Sequence, residues 1–171
     1  MSDTQVENML VLDHQQVMQK LRRIAYQIYE NNVQEEELLL AGIRGQGYEI
    51  AGILMSILGE IAPFKLRLIE VSIDKTTVKK SKVYLDCDKS ELSQKSIILI
   101  DDVLSTGTTL AYSLKPFLKA SIARLEIAVL INRAHLRFPI RANYTGLELA
   151  TTLQNHISVE RNDKEFSVYL R

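Results

Sequence analysis

The sequence has little cysteine, no tryptophan and only three prolines among its 171 residues. The single cysteine, Cys87, excludes an intramolecular disulfide and a zinc site built on cysteines. Because no histidine lies beside it in the sequence, we interpret Cys87 as incidental rather than as a nucleophile. The length suits one domain over residues 1–171 with a sizeable core.

The sequence also lacks an excess of charge of either sign, and it has no long apolar run. Acidic and basic residues balance at 21 each, so no global field attracts nucleic acid or an anionic membrane. No apolar run approaches the length that spans a bilayer, and the first residues lack the apolar core of a signal peptide. We therefore expect a cytoplasmic protein that does not contact membranes.

The most informative stretch is an apolar run that ends at two carboxylates. Residues 97–100 are all aliphatic, which predicts a strand buried on both faces. Asp101 and Asp102 follow this strand, and after a short turn a helical pattern begins at Leu110. The turn contains small residues that can close their backbone amides around an anion: Ser105, Thr106, Gly107, Thr108 and Thr109.

In an open α/β sheet, ligands collect at the carboxyl ends of the strands. Two acids beside an amide cradle indicate a ligand with a phosphate at one end and hydroxyls or a metal at the other. The alternative is a buried strand that ends in a solvated polar turn, with a threonine acting only as a helix N-cap. The joined pattern on a strand-to-helix junction favours the ligand site.

A second strand, turn and helix precede this one. Residues 38–43 are apolar and predict a buried strand, and an apolar helix is predicted from Tyr48 to about Ile61. The loop between them consists of Arg44, Gly45, Gln46 and Gly47. Taken alone, these glycines indicate no more than a βα turn with a solvated arginine.

The remaining elements follow from periodicity. Residues 13–31 predict an amphipathic helix with Asp13 as its N-cap, and Pro116 predicts a kink or an early end in the helix after Thr109. Strands are predicted at residues 65–73, 83–85, 125–131, 157–160 and 166–170. A lysine-rich stretch at residues 74–82 would form the tip of a hairpin; it is either a solvated loop or a mobile lid.

The joined motif resembles the PRPP-binding signature of type I phosphoribosyltransferases. The resemblance implies a Rossmann-like, mostly parallel sheet flanked by helices, with a small hood and a flexible β-hairpin loop. It implies that Asp101 and Asp102 bind the ribose hydroxyls and that residues 105–109 hold the 5′-phosphate. It places residues 44–47 at the pyrophosphate, with Mg²⁺ as cofactor and no directly assigned metal ligand. Lysines that could close over the pyrophosphate are Lys75, Lys79 and Lys80.

Residues 128–135 and 139–146 are similar to the PyrR family, pyrimidine-operon attenuators with uracil phosphoribosyltransferase activity. This resemblance puts Arg133, His135 and Arg141 near the nucleobase or product. The chain departs from the family in the loop at residues 44–47, which has one basic residue fewer, and in Asn132 and Ala134, which replace an aspartate and a glycine.

The resemblance implies an enzyme of pyrimidine salvage that makes a nucleoside 5′-monophosphate and pyrophosphate from PRPP and a pyrimidine base, with uracil as the expected base. The alternative is a nucleotide-sensing regulator of pyrimidine gene expression that binds RNA and has weak or no activity. The absence of net positive charge argues against strong RNA binding. A homodimer or a higher homo-oligomer is expected.

Overall fold

The computed structural model describes residues 8–133, 135–150, 152 and 155–171 as an α/β structure with two sheets. The strands are β1 (Met9–Leu12), β2 (Glu37–Ile43), β3 (Lys65–Ser72), β4 (Tyr84–Leu85), β5 (Ser96–Leu104), β6 (Arg124–Asn132), β7 (Tyr144–Glu148), β8 (Ile157–Asn162) and β9 (Glu165–Leu170). The helices are α1 (His14–Asn31), α2 (Gln46–Ile61), α3 (Thr108–Ser113) and α4 (Lys115–Leu118), and Lys89–Leu92 forms a 3₁₀ turn.

The main sheet has the strand order β4-β3-β2-β5-β6-β7. Strands β3, β2, β5, β6 and β7 are parallel, and β4 pairs antiparallel to the end of β3. Gly42 on β2 lies opposite Ile100 on β5. This register brings the turn after β2 and the acid pair of β5 to the same edge of the sheet, where ligands collect in such folds.

The core lies on both faces of this sheet because the central strands alternate their side chains between two apolar clusters. On β2 and β5, Leu40 and Ile98 belong to the cluster that α1 and α2 cover. Leu39 and Leu99 belong to the opposite cluster, which α3 and α4 cover with Leu110 and Phe117. Burial on both faces explains why these strands are nearly continuous apolar runs.

Helix α1 is fixed at its start by a capping box. The Asp13 carboxylate accepts a hydrogen bond from Gln16 N at 2.8 Å, and Gln16 Oε1 accepts one from Asp13 N at 2.9 Å. These two bonds satisfy backbone donors that a helix start otherwise leaves unpaired. The apolar stripe of the helix, which includes Leu21 and Ile28, is fully buried.

The second sheet joins the two ends of the chain, in the order β1-β9-β8. Met9 pairs with Leu170, and Ile157 pairs with the same residue from the other side. Phe166 and Val168 are buried in the cluster that also contains α1 and α2. This small antiparallel sheet is the hood that the resemblance implies.

The mostly parallel sheet flanked by helices is confirmed, and so is the antiparallel pairing of residues 65–73 with residues 83–85. The predicted break at Pro116 is also confirmed, because α3 ends at Ser113 and α4 begins at Lys115. Two helices begin two residues earlier than predicted: α2 begins at Gln46 rather than Tyr48, and α3 begins at Thr108 rather than Leu110. The substitution at Ala134 lies outside the described residues.

Three further differences from the predictions concern strands. Asp101 and Asp102 lie within β5, which continues to Leu104, rather than after the strand end. Strands β1 and β7 were not predicted: each is short, and part of each is exposed. No helix among the described residues is both long and apolar enough to cross a membrane.

Candidate functional site

The two acids of β5 lie in different surroundings although they are adjacent. Asp101 is only 2% exposed, whereas Asp102 is half-buried. Asp101 Oδ1 accepts a hydrogen bond from Asp102 N at 2.9 Å and lies 3.4 Å from Lys75 Nζ. Burial, and next the negative charge of Asp102, raise the pKa of Asp101 to about 7, against the opposing charge of Lys75. Such a displaced carboxyl pKa is typical of a functional site.

The turn after β5 encloses a small cavity of about 70 Å³. Asp101 and the turn residues line it, including Ser105, Thr106, Gly107, Thr108 and Thr109. The Thr106 and Thr108 hydroxyls are 2.8 Å apart. Gly107 has φ +80°, a left-handed conformation that favours glycine, and it immediately precedes α3. Hydroxyls and backbone N–H groups at a helix start are donors suited to an anion.

A later segment packs against this turn from outside. Thr106 O accepts hydrogen bonds from Arg137 N at 2.8 Å and Phe138 N at 3.3 Å. A Cβ placed on Gly107 would lie 3.2 Å from Ile140 Cβ. The segment at residues 137–140 therefore holds the turn in place through its backbone and Ile140.

The turn after β2 makes a close approach to the acid pair. Gly45 has φ +95° and precedes α2. A Cβ on Gly47 would lie 2.9 Å from Ile100 O and 3.0 Å from Asp101 Oδ1, so only glycine brings the start of α2 this close to β5. The turn at residues 44–47 and the acid pair therefore lie at the same edge of the sheet.

Arg44 points to a carboxylate of the neighbouring strand. Its Nε donates to Glu70 Oε1 at 2.9 Å, and the same oxygen lies 2.8 Å from another guanidinium nitrogen. The side chain is 68% exposed. Glu70 was missed in the sequence analysis, because its pairing with Arg44 depends on the register of two parallel strands.

Gln46, beside Arg44, has an unusual environment. Its Oε1 is buried and has no hydrogen-bond partner among the described residues. A buried acceptor without a donor is costly, and in native proteins it often marks a place where a ligand or water binds. The sequence analysis considered Gln46 only as part of a loop.

The lysine-rich segment lies over the turn after β5. Lys75, Lys79, Lys80 and Thr108 contribute to one open cavity of about 380 Å³. Asp74 accepts hydrogen bonds from Thr76 N and the Thr76 and Thr77 hydroxyls, and these bonds lower the pKa of its carboxyl group. The segment is therefore a turn with its own hydrogen bonds, and Lys75 is the lysine that contacts an acid of the pair.

The three residues predicted near the base occupy different environments. The Arg133 side chain is buried, and its guanidinium donates to Thr152 O at 3.3 Å and also to Asn155 O. His135 is half-buried, and Arg141 is exposed. The backbone of Arg133 donates to Leu104 O at 2.8 Å, which ties this segment to the end of β5.

A scan against family models matches residues 9–164 to the phosphoribosyl transferase domain. Among curated proteins, the bifunctional protein PyrR of Haemophilus ducreyi is 33% identical over 157 residues, covering 88% of each chain. The bifunctional protein PyrR of Clostridium acetobutylicum is 34% identical over 167 residues, covering 92% of this chain and 94% of the relative.

Solved structures show the same fold at lower identity. A hypoxanthine-guanine phosphoribosyltransferase of Bacillus anthracis superposes with a TM-score of 0.71 at 18% identity, covering 84% of both chains. A hypoxanthine phosphoribosyl transferase of Trypanosoma cruzi gives a TM-score of 0.73 at 15% identity, covering 84% of this chain and 78% of the other.

Proposed function

Because the chain belongs to the type I phosphoribosyltransferases, and within them to the PyrR family, we propose that it transfers the phosphoribosyl group of PRPP to a pyrimidine base. Uracil is the proposed base, and the products are the nucleoside 5′-monophosphate and pyrophosphate. The observation that carries the proposal is the cavity of about 70 Å³ shared by Asp101 and the hydroxyl-rich turn. Its size and its donors suit one phosphate group beside a ribose.

The reaction we propose forms one bond and breaks one at the anomeric carbon. A ring nitrogen of the base attacks this carbon, and the bond to pyrophosphate breaks with its electron pair leaving on oxygen. The nitrogen gives its proton to water or to the departing pyrophosphate as the new bond forms. Positive charge develops on the ribose ring, as in glycosyl transfer, so an acid pair beside the ring stabilises the transition state electrostatically.

In this proposal the acids of β5 orient the ribose, while Ser105, Thr106, Gly107, Thr108 and Thr109 hold the 5′-phosphate through hydroxyl and backbone donors. Arg44, Gly45, Gln46 and Gly47 receive the pyrophosphate. The ion pair of Arg44 with Glu70 keeps this guanidinium at the mouth of the turn, from which it can donate to phosphate oxygens. Lys75, Lys79 and Lys80, which lie over the turn after β5, neutralise the negative charge of the departing pyrophosphate.

Mg²⁺ fits this set of residues. The described residues contain no cluster of three side chains that could enclose a metal ion, but Mg²⁺ commonly binds one or two carboxylates together with substrate oxygens and waters. The charge of Asp102 disfavours ionisation of Asp101, and a cation would relieve that repulsion. The unpaired Gln46 Oε1 could accept a hydrogen bond from a metal-bound water. When bound, Mg²⁺ would be held by Asp101 and Asp102 and would supply positive charge that offsets the charge of the departing pyrophosphate.

The base would lie on the side of residues 133–141, where Arg133, His135 and Arg141 are the proposed neighbours. Arg133 already donates to two backbone carbonyls, so its proposed role is to position this segment rather than to contact the base. We propose a cytoplasmic homodimer or higher homo-oligomer, which size-exclusion chromatography with light scattering can test.

A turnover assay tests the proposed activity. Purified protein is incubated with PRPP, Mg²⁺ and uracil, cytosine, hypoxanthine or guanine, and pyrophosphate release is measured. We expect release with uracil and at most weak release with the purines. Turnover restricted to purines would contradict the proposed base, and PRPP binding without turnover on any base would contradict the enzyme.

The segment at residues 74–82 provides a second test, because we propose that it closes over PRPP. Hydrogen exchange of its amides should slow when PRPP and Mg²⁺ are added, whereas amides of α1 should not change. Equal exchange of residues 74–82 with and without PRPP would remove the lid from the proposal.

A nucleotide-sensing RNA regulator is the second candidate, since the curated relatives carry the name bifunctional protein PyrR. Titration of structured pyrimidine-operon leader RNA at two salt concentrations distinguishes the candidates. An RNA binder should lose about 0.7 log units of affinity per log unit of salt for each single-strand phosphate contact. Tight, sequence-selective and salt-sensitive binding with no turnover would favour the regulator.

A further inference from the structure

A second cavity lies away from the acid pair, between the β4 region and α4. Its volume is about 570 Å³, which is much larger than the cavity beside Asp101. Volumes of about 300–1,000 Å³ are typical of sites for small organic ligands. Neither Asp101 nor any residue of the turns at 44–47 and 105–109 lines it.

The charge of this lining has one sign. Lys82, Lys89, Lys115 and Lys119 line the cavity, and no carboxylate does. In the part of the chain that the structure describes, none of these four lysines forms a salt bridge. Lys115 Nζ lies 4.7 Å from the centre of the Tyr112 ring. Four lysines that line one cavity, with no carboxylate among the lining residues, attract a multiply charged anion.

The remaining lining is apolar or aromatic. Leu85, Leu92 and Pro116 supply apolar surface, and Tyr84, which is 63% exposed, lines the cavity beside them. An exposed tyrosine next to apolar side chains suits a flat organic group, because an aromatic face stacks on planar rings. The cavity thus combines a cationic rim with a surface for an aromatic body.

We propose that this cavity binds a nucleoside polyphosphate, with its phosphates on the four lysines and its base against Tyr84 and the apolar wall. Inorganic polyphosphate would use only the lysines, and an uncharged nucleoside would use only the wall. A nucleoside triphosphate matches both parts of the lining and fits the volume.

The cavity wall is connected to the candidate pyrophosphate turn. Leu85 pairs with Val71 at the end of β3, and Asp86 Oδ1 accepts a hydrogen bond from Glu70 N at 2.8 Å. Glu70 in turn holds Arg44. A ligand in the cavity would therefore contact β4, which pairs with β3. Glu70 on β3 positions Arg44 of the candidate active site.

Cys87 lines the cavity and is the only cysteine of the chain, so it reports on occupancy directly. The 171-residue chain is alkylated with iodoacetamide while PRPP and Mg²⁺ are present to occupy the other site. The probes are ATP, inorganic triphosphate and adenosine. We expect ATP to slow alkylation of Cys87 at least about fivefold at saturation, and more than either of the other two probes.

The test variant is K115Q/K119Q, and K65Q/K164Q is the matched control with two exposed lysines that do not line the cavity. Loss of one charge-assisted contact lowers affinity about tenfold. We therefore expect K115Q/K119Q to raise the ATP concentration for half-protection at least about tenfold and the control to leave it unchanged. Thermal melting of both variants shows that each is folded.

Unchanged alkylation with ATP, or equal protection in K115Q/K119Q and its control, would overturn the proposed site. Protection by inorganic triphosphate as strong as that by ATP would overturn the nucleoside part of the proposal. Because alkylation does not depend on turnover, a failure of this site is distinguishable from a failure of the proposed transferase activity.

Discussion

Two carboxylates are buried in the main sheet, and their surroundings differ. Glu126, near the start of β6, lies 3.1 and 3.2 Å from Tyr144 Oη through its two oxygens, and Arg124 Nε is 3.6 Å away. Asp101, on the neighbouring strand β5, lies beside the like charge of Asp102, and among the described residues the cation that pairs with it is half-exposed Lys75.

The difference separates a structural carboxylate from a candidate functional one. A buried charge that has donors around it is stabilised by the protein itself. A buried carboxyl beside a second acid is held in an unfavourable state, which persists where a substrate or cation compensates it. Asp101 fits the second description, and the cavity of about 70 Å³ lies beside it.

The largest expected effect is on PRPP binding. Asp102→Asn should weaken PRPP binding about ten- to hundredfold, since a lost charge-assisted hydrogen bond costs about 1.5–3 kcal/mol. Glu126→Gln is the control: Glu126 lies on the neighbouring strand β6 opposite Ile98, it does not line the cavity beside Asp101, and its substitution should leave PRPP affinity unchanged. Calorimetric titration measures both. Unchanged affinity in Asp101→Asn as well as in Asp102→Asn would count decisively against the ribose assignment.

The close approach of α2 to Asp101 predicts a large effect of a single methyl group. Gly47→Ala should destabilise the protein by about 1–3 kcal/mol, because its Cβ would meet the backbone of β5. Gly59→Ala, in the same helix with no neighbour within 4 Å of the added Cβ, should stabilise it by about 0.5–1 kcal/mol. Urea unfolding gives both values. Equal effects of the two substitutions would show that the start of α2 does not pack tightly against β5.

The Glu126 network predicts an effect on stability without an effect on the site. Tyr144→Phe removes the hydroxyl that donates to Glu126 and should lower the free energy of unfolding by about 1–3 kcal/mol. PRPP affinity should be unchanged, because Tyr144 lies two strands away from Asp101 and its hydroxyl donates to Glu126. A tenfold loss of PRPP affinity in this variant would make the network part of the site.

The raised pKa of Asp101 predicts a pH-dependent stability with a definite sign. Its carboxyl group has a pKa of about 7 in the folded chain and 3.8 as its ordinary value, so the folded state binds more protons between these values. The contribution of this carboxyl group to the free energy of unfolding is fully present below about pH 4 and is lost as the pH rises through about 7. Asp101→Asn should therefore be more stable than the natural chain at pH 8, by about 1 kcal/mol or more, and not at pH 4.

Urea unfolding at pH 4, 6 and 8 measures this effect without any ligand. Asp102→Asn should also reduce the slope, because it removes the neighbouring charge that helps to raise the pKa of Asp101. A stability difference between Asp101→Asn and the natural chain that is the same at all three values would contradict the raised pKa.

Much of the fold follows from local sequence pattern. The aliphatic runs of β2, β5 and β6 indicate buried parallel strands, Asp13 marks the start of α1, and Pro116 separates α3 from α4. The acid pair and its hydroxyl-rich turn were also recognisable, because they are consecutive in the chain. Strands β1 and β7 were missed since each is short and partly exposed.

By itself, the sequence determined the strand-turn-helix units, the identity of the acid pair and the likeness to a transferase family, because these depend on neighbouring residues. Only the tertiary structure decided that Glu70 holds Arg44, that Lys75 lies 3.4 Å from Asp101 and that Ile140 packs on Gly107. It alone gathered four lysines around one cavity. Such contacts join residues tens of positions apart, and no local periodicity encodes them, since they arise from sheet register and the packing of loops.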